Sequence, residues 1–277
     1  MQSGRLSIWL AGLSLTGLIL FVFVTMLLAA FTGHVAQLMM RRAAPGTQED
    51  HNQESYLVGS MLGILALLMA FSFSMALDRY EERRHLVIQE ANAIGTSYLR
   101  AQLLDEPYRT RLSQLLVAYT DNRIALGTGS RASLGRQLAL NDKLLTDIWA
   151  AVVAARDSAN SHGVTTGILI TFNEVIDLDT ERKVARQVRV PAPVLMLLYV
   201  FLIMTAAVLG YVVEERRARL GVLVLFILLS LYGSIIADLN RPTSGNIKES
   251  QEAMLMLRQS LRSQPPAVFN KFLSSRP

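Results

Sequence analysis

The stretch MAFSFSMALDRYEERRH, residues 69–85, joins two patterns end to end. Up to Leu77 it closes a run that starts at Tyr56 and contains no Asp, Glu, Lys or Arg. From Asp78 to Arg84, six of seven residues carry charge. A helix leaving hydrocarbon for water reads this way, with arginines at the headgroup level. Three more uncharged runs, Leu6–Phe31, Val190–Val213 and Leu220–Ala237, complete a set of four. A hydrocarbon core about 30 Å thick is crossed by roughly 20 apolar residues in a helix. Backbone groups in lipid must be satisfied within a helix or a closed barrel. The reading is an all-α, four-span integral membrane protein.

Composition narrows the function. The chain has no cysteine, which excludes disulfides, thiolate metal sites and cysteine nucleophiles. Its net charge of +5 suits a neighbour of anionic lipid. It has no nucleic-acid reader motif. A phosphate loop, a Ser/His/Asp arrangement and a histidine pair on one helix face are all missing, and the spans hold no ionisable residue for intramembrane catalysis or proton pumping. An enzyme is therefore not expected, nor is a cofactor or a metal. The first run resembles a signal peptide at its ends, with Arg5 before it and Ala29-Ala30 at its close. Its core is longer than the about 7–15 residues of a signal h-region, which favours an uncleaved anchor.

Four spans put both termini and the segment between spans two and three on one side. That side carries Arg79, Arg83, Arg84, Arg182, Lys183, Arg186, Arg189 and Arg241 near the membrane. The positive-inside rule makes it the cytoplasm, against the pull of EERRAR at 214–219. The expected layout is spans at 6–31, 56–77, 190–213 and 220–237. Between them fall an extracytoplasmic loop at 32–55, a cytoplasmic helical domain at 78–189, an outer loop at 214–219 and a cytoplasmic tail at 238–277. Tyr108, Leu112, Leu115 and Tyr119, then Leu134, Leu138, Leu145, Ile148 and Val152, then Ile168, Phe172 and Val175, recur at helical spacing. GTGS (127–130) and NSHG (160–163) read as turns, and SQEAMLMLRQSL (250–261) as a short amphipathic helix before a frayed end.

Three groups of residues are candidates for function. In DRYEERR, Asp78–Glu82 and Arg79–Arg83 set like charges at i,i+4, so the run is not optimised for pairing along its own helix. Asp78, Arg79, Glu82 and Arg84 are expected to form a membrane-face charge network, with Asp238 and Arg241 after span four; the alternative is a plain exit collar. Glu90 with Asn173 and Asp177 offers a polar helix face that could hold a cation, or simply meet solvent. Asp179–Lys183 and Arg182–Arg186 look like surface charge. Gly59 and Gly63 form a GxxxG on span two, which permits close helix approach.

The order Phe71, Asp78, Arg79, Tyr80, Glu82, Arg84 resembles the end of the second span in bestrophin anion channels. Ser72 stands where those channels commonly carry arginine, and Leu77 where they carry tyrosine. EANAIGTSYLR (90–100), FNEVIDLDTER (172–182), Pro191 and DLNRPTSG (238–245) extend the resemblance to bacterial bestrophin-like proteins. The resemblance implies a cyclic homo-pentamer in the inner (plasma) membrane, with cytoplasmic termini and a pore lined by the second helix. It implies chloride or another small anion as the permeant species. Carried over, the stripe Leu62, Leu65, Met69 and Phe73 would form an apolar neck that gates by dewetting. Otherwise those side chains meet lipid or neighbouring spans. A non-conducting scaffold or sensor, acting through the helical bundle, stays open as the other function.

Overall fold

A computed structural model describes residues 14–43, 48–129, 132–156, 162–242 and 245–270. The expected start of the first span at 6–13, loop residues 44–47, Ser130, Asn160-Ser161, Thr243-Ser244 and the last seven residues lie outside these. The described residues form helices and turns, with no strand among them. In chain order the helices are α1 (Leu15–Ala43), α2 (Gln48–Ala101), α3 (Tyr108–Thr128), α4 (Leu134–Ala154), α5 (His162–Ala185), α6 (Ala192–Val212), α7 (Arg216–Leu239) and α8 (Glu252–Ser263). A 3₁₀ turn follows at Pro266–Phe269. Four of the helices, α1, α2, α6 and α7, are long and apolar enough to cross a membrane.

The chain divides into two units. The first comprises residues 1–80 and 188–248, the second residues 81–187 and 249–277. The division falls inside α2, which runs unbroken through DRYEERR because nothing between Tyr56 and Ala101 interrupts a helix: there is no proline, and the glycines are isolated.

In the first unit α1 packs on α6 and α7. A Cβ on Gly33 would fall 1.9 Å from the Ala207 carbonyl oxygen, and one on Gly210 would fall 2.0 Å from that of Ala30. The two backbones therefore touch at Ala29-xxx-Gly33 and Ala206-xxx-Gly210, the small-residue spacing that lets membrane helices approach closely. Gly59 and Gly63, the GxxxG expected to pack, meet nothing within 4 Å. Met26, Leu65, Ala76, Ala206, Phe226 and Ile236 fill the core.

The second unit has its own core. Leu112, Leu116, Tyr119, Ile148, Phe172 and Val175 are completely buried, at the spacing the sequence sets. The tail as far as residue 270 packs within this unit. Met254 and Leu261 are buried, Phe269 packs against the core, and the Tyr98 hydroxyl donates to the Gln264 carbonyl at 2.7 Å.

Candidate functional site

The apolar stripe expected to line a pore divides on the structure. Leu65 and Met69 turn into the first unit's own core at 0% and 4% exposure. Leu62 is half-buried, and Phe73 sets its ring 5.5 Å from that of Tyr232 on α7. Helical spacing alone does not say which face of α2 the other spans cover, and the stripe fell on the covered one. The uncovered face carries Ser60, Gly63, Ile64, Ala66, Leu67, Ala70, Phe71, Ser74 and Asp78. Its composition differs from the exposed faces elsewhere in the unit. On α1, Leu20, Val24, Leu27, Leu28 and Phe31 face outward, and on α7 Leu220, Val224, Ile227, Leu228 and Leu231 do. Those are lipid-type surfaces of large apolar side chains. The α2 face interleaves small and hydroxyl residues with Tyr56, Ile64, Leu67, Phe71 and Leu77, of which Leu67 and Phe71 are 56% and 61% exposed.

Beyond the division in α2 lies a buried ionic network within the second unit. Glu90 is fully buried and accepts from the Tyr119 hydroxyl at 2.7 Å, from Arg123 at 3.1 Å and from Arg182. Arg123 also donates to Asp179 at 2.9 Å, and Asn141 Nδ2 donates to the same carboxylate oxygen at 2.9 Å. Lys183 bridges Asp179 and Asp142, both at 2.7 Å. Helix spacing explains the assembly: Asp179, Arg182 and Lys183 share a turn of α5, while Tyr119 and Arg123 stand one turn apart on α3. Burial pushes the Tyr119 phenol well above its usual range, and the Glu90 charge adds to the rise. Burial would lower Arg123; the carboxylates of Glu90 and Asp179 outweigh it and hold the guanidinium charged.

This network corrects two expectations. Glu90 is not joined by Asn173 and Asp177, which are exposed; its charge is met by arginines, leaving no carboxylate face for a cation. No cluster of metal-ligating side chains occurs among the described residues. Asp179 and Arg182, read from sequence as surface charge, are 2% and 4% exposed. Their partner Arg123 was not singled out at all. A lone arginine within an amphipathic helix gives no sign of burial until Glu90 and Asp179 are placed beside it.

Of the DRYEERR charges, Asp78, Arg79, Glu82 and Arg84 are exposed, and Arg84 pairs along its own helix with Glu81 at 3.3 Å. Arg83 is the buried one, donating to Glu249 at 2.7 Å. In the first unit Asp238 accepts from the backbone N–H groups of Asn246 at 3.0 Å and Ile247 at 2.9 Å. Asn240 Oδ1 accepts from Val190 N–H at 2.7 Å, ahead of α6. A Cβ on Gly245 would lie 2.7 Å from the Asp238 carbonyl oxygen, so glycine is needed there for space rather than for a left-handed backbone. Residues 245–247 thus fold back on Asp238, with Arg241 half-buried nearby in sequence.

The Bestrophin-like domain family model matches residues 26–254. The chain belongs to that family. Among solved structures it is similar to point mutants of a bacterial bestrophin homologue from Klebsiella pneumoniae. One aligns with a TM-score of 0.72 at 14% identity, covering 91% of this chain and 98% of that one. Another gives 0.68 at 15% identity, covering 88% and 98%. A third structure, described as a membrane protein, gives 0.60 at 14% identity over 94% and 99%. Among curated proteins there is no significant sequence match. At such identities the likeness is one of fold, and it extends over nearly the whole Bestrophin-like chain.

Proposed function

We propose that this Bestrophin-like protein is a passive anion channel of the inner membrane, built as a homo-oligomer around the uncovered face of α2. The observation that carries the reading is that face. Its small and hydroxyl residues, Ser60, Gly63, Ala66, Ala70 and Ser74, are what a packed or water-filled centre takes, and the large apolar faces of α1 and α7 suit lipid. Ile64, Leu67 and Phe71 are large side chains along its middle, and they form the apolar neck that controls passage by dewetting. The pentamer implied by the bestrophin resemblance brings one such face from each subunit to a common axis. Both termini are cytoplasmic, and the arginines on that side concentrate anions near the mouth.

The exposed Trp149 and Val153, one turn apart on α4, favour a second reading, a membrane scaffold whose helical bundle docks another protein. The two separate in liposomes. Purified protein is reconstituted, its oligomeric mass measured and chloride efflux followed. A ring-sized oligomer with efflux above empty liposomes is the channel's result. A monomer or dimer without efflux leaves the scaffold.

A further inference from the structure

In the second unit a shallow crevice open to solvent is lined by Arg83, Val87, Arg182, Arg186 and Glu249, with Leu86 and Ala185 as apolar wall. Its arginines are not equivalent. Arg83 is held by Glu249 and Arg182 by Glu90. Arg186, one turn beyond Arg182, has no hydrogen-bond or ion-pair partner among the described residues; its own N–H is spent on the Arg182 carbonyl at 3.2 Å. Among the described residues Arg83, Arg123, Arg182 and Lys183 pair with Glu90, Asp142, Asp179 and Glu249, and Arg186 stands beside them as a further cation. Burial, with the neighbouring Arg182 charge, depresses its guanidinium to about 10.

We infer that one oxyanion group, a phosphate or a carboxylate, binds at the open mouth of the crevice on Arg186, with Arg182 and Arg83 behind it. A guanidinium fork presents parallel N–H groups that match two oxygens of such an anion. Glu249 shows the recognition already at work in cis, since its carboxylate occupies Arg83 in the same crevice. An incoming anion neutralises the surplus charge and offsets the cost of desolvating Arg186. This site belongs to the second unit and the α2 face assigned to conduction to the first, and the site stands whether or not the protein conducts.

The test is a thermal-shift titration of the full-length protein in neutral detergent with inorganic phosphate, at constant ionic strength set with chloride. Wild type shows a saturable rise in melting temperature. Arg186→Gln weakens the apparent phosphate affinity roughly tenfold or more, Arg186→Lys less, and Arg258→Gln on α8 leaves it unchanged. Without phosphate, Arg186→Gln melts no lower than wild type, which separates loss of a site from loss of fold. Repeating the titration in phosphatidylglycerol and phosphatidylcholine nanodiscs identifies the source. A response lost only in phosphatidylglycerol assigns the group to a lipid headgroup, and one kept in both assigns it to a soluble anion. No saturable shift in wild type, or an Arg186→Gln titration equal to wild type, overturns the site. So does an Arg186→Gln protein that melts lower without phosphate, because Arg186 would then be satisfied within the chain.

Discussion

Glu90→Gln removes the acidic partner that Arg182 has among the described residues while keeping nearly the same shape. In the native network three donors converge on a fully buried carboxylate. After the change Tyr119 retains an oxygen to donate to, and Arg123 keeps Asp179. Arg182, 4% exposed, is left as a buried guanidinium with no counter-ion. Breaking a buried pair from one side costs about 3–5 kcal/mol, because the remaining charge stays out of water unpaired. Against a typical domain stability of about 5–15 kcal/mol, that is a large share. Guanidinium unfolding followed by the fluorescence of Trp149, which sits on α4 of the same unit, reads the loss as a lower midpoint at unchanged slope. Pairing Glu90→Gln with Arg182→Met recovers much of the loss, since the uncompensated charge is gone. A single variant costing less than about 1 kcal/mol, or a double costing the sum of both singles, would refute the view that Glu90 is the counter-ion of the network.

Three further outcomes follow from the geometry. Gly210→Leu drives a side chain into the Ala30 carbonyl and parts α1 from α6, lowering the melting temperature in detergent by an overpacking cost of about 1–3 kcal/mol or more, while Gly59→Ala, which meets nothing, is silent. The Lys183 ammonium donating to Asp142 holds that carboxyl below its usual range. A depressed acid stabilises the fold above its unfolded value, roughly pH 4, and the contribution fades as pH falls through the lower folded value. The pair is surface-exposed, so the effect is small. It appears as an acid-side loss of melting temperature that Asp142→Asn lacks. Asp238→Ala strips the acceptor from the Asn246 and Ile247 amides, and hydrogen exchange at those two amides quickens while the core of the second unit is unmoved.

Hydropathy carried the four spans, because a membrane demands length and absence of charge and both are visible in one dimension. The cores of α3, α4 and α5 were legible for a similar reason: Leu112, Tyr119, Ile148 and Phe172 repeat at the helical period. What the sequence hid was pairing across elements. Arg123, Asp179 and Arg182 look like any helix-surface charges until α2, α3 and α5 bring them around Glu90. The face of α2 was hidden too. Leu62, Leu65, Met69 and Phe73 are as apolar as Leu67 and Phe71, and only the positions of the neighbouring spans separate an inner stripe from an outer one. The glycines show the same limit: Gly59 and Gly63 have the better-known spacing, but contact belongs to Gly33 and Gly210, each of which finds its small partner in another helix.

The native chain contains no cysteine, so single thiols can be placed without a cleared background. The most direct test of the channel account is chloride efflux from liposomes carrying Phe71→Cys, before and after a charged, membrane-impermeant thiol reagent, with Leu65→Cys in parallel. Modification of Phe71→Cys should change efflux sharply, and Leu65→Cys should not respond, because its side chain lies inside the subunit. Wild-type protein without efflux above empty liposomes, or a response at Leu65→Cys and none at Phe71→Cys, would contradict a pore on the uncovered face of α2.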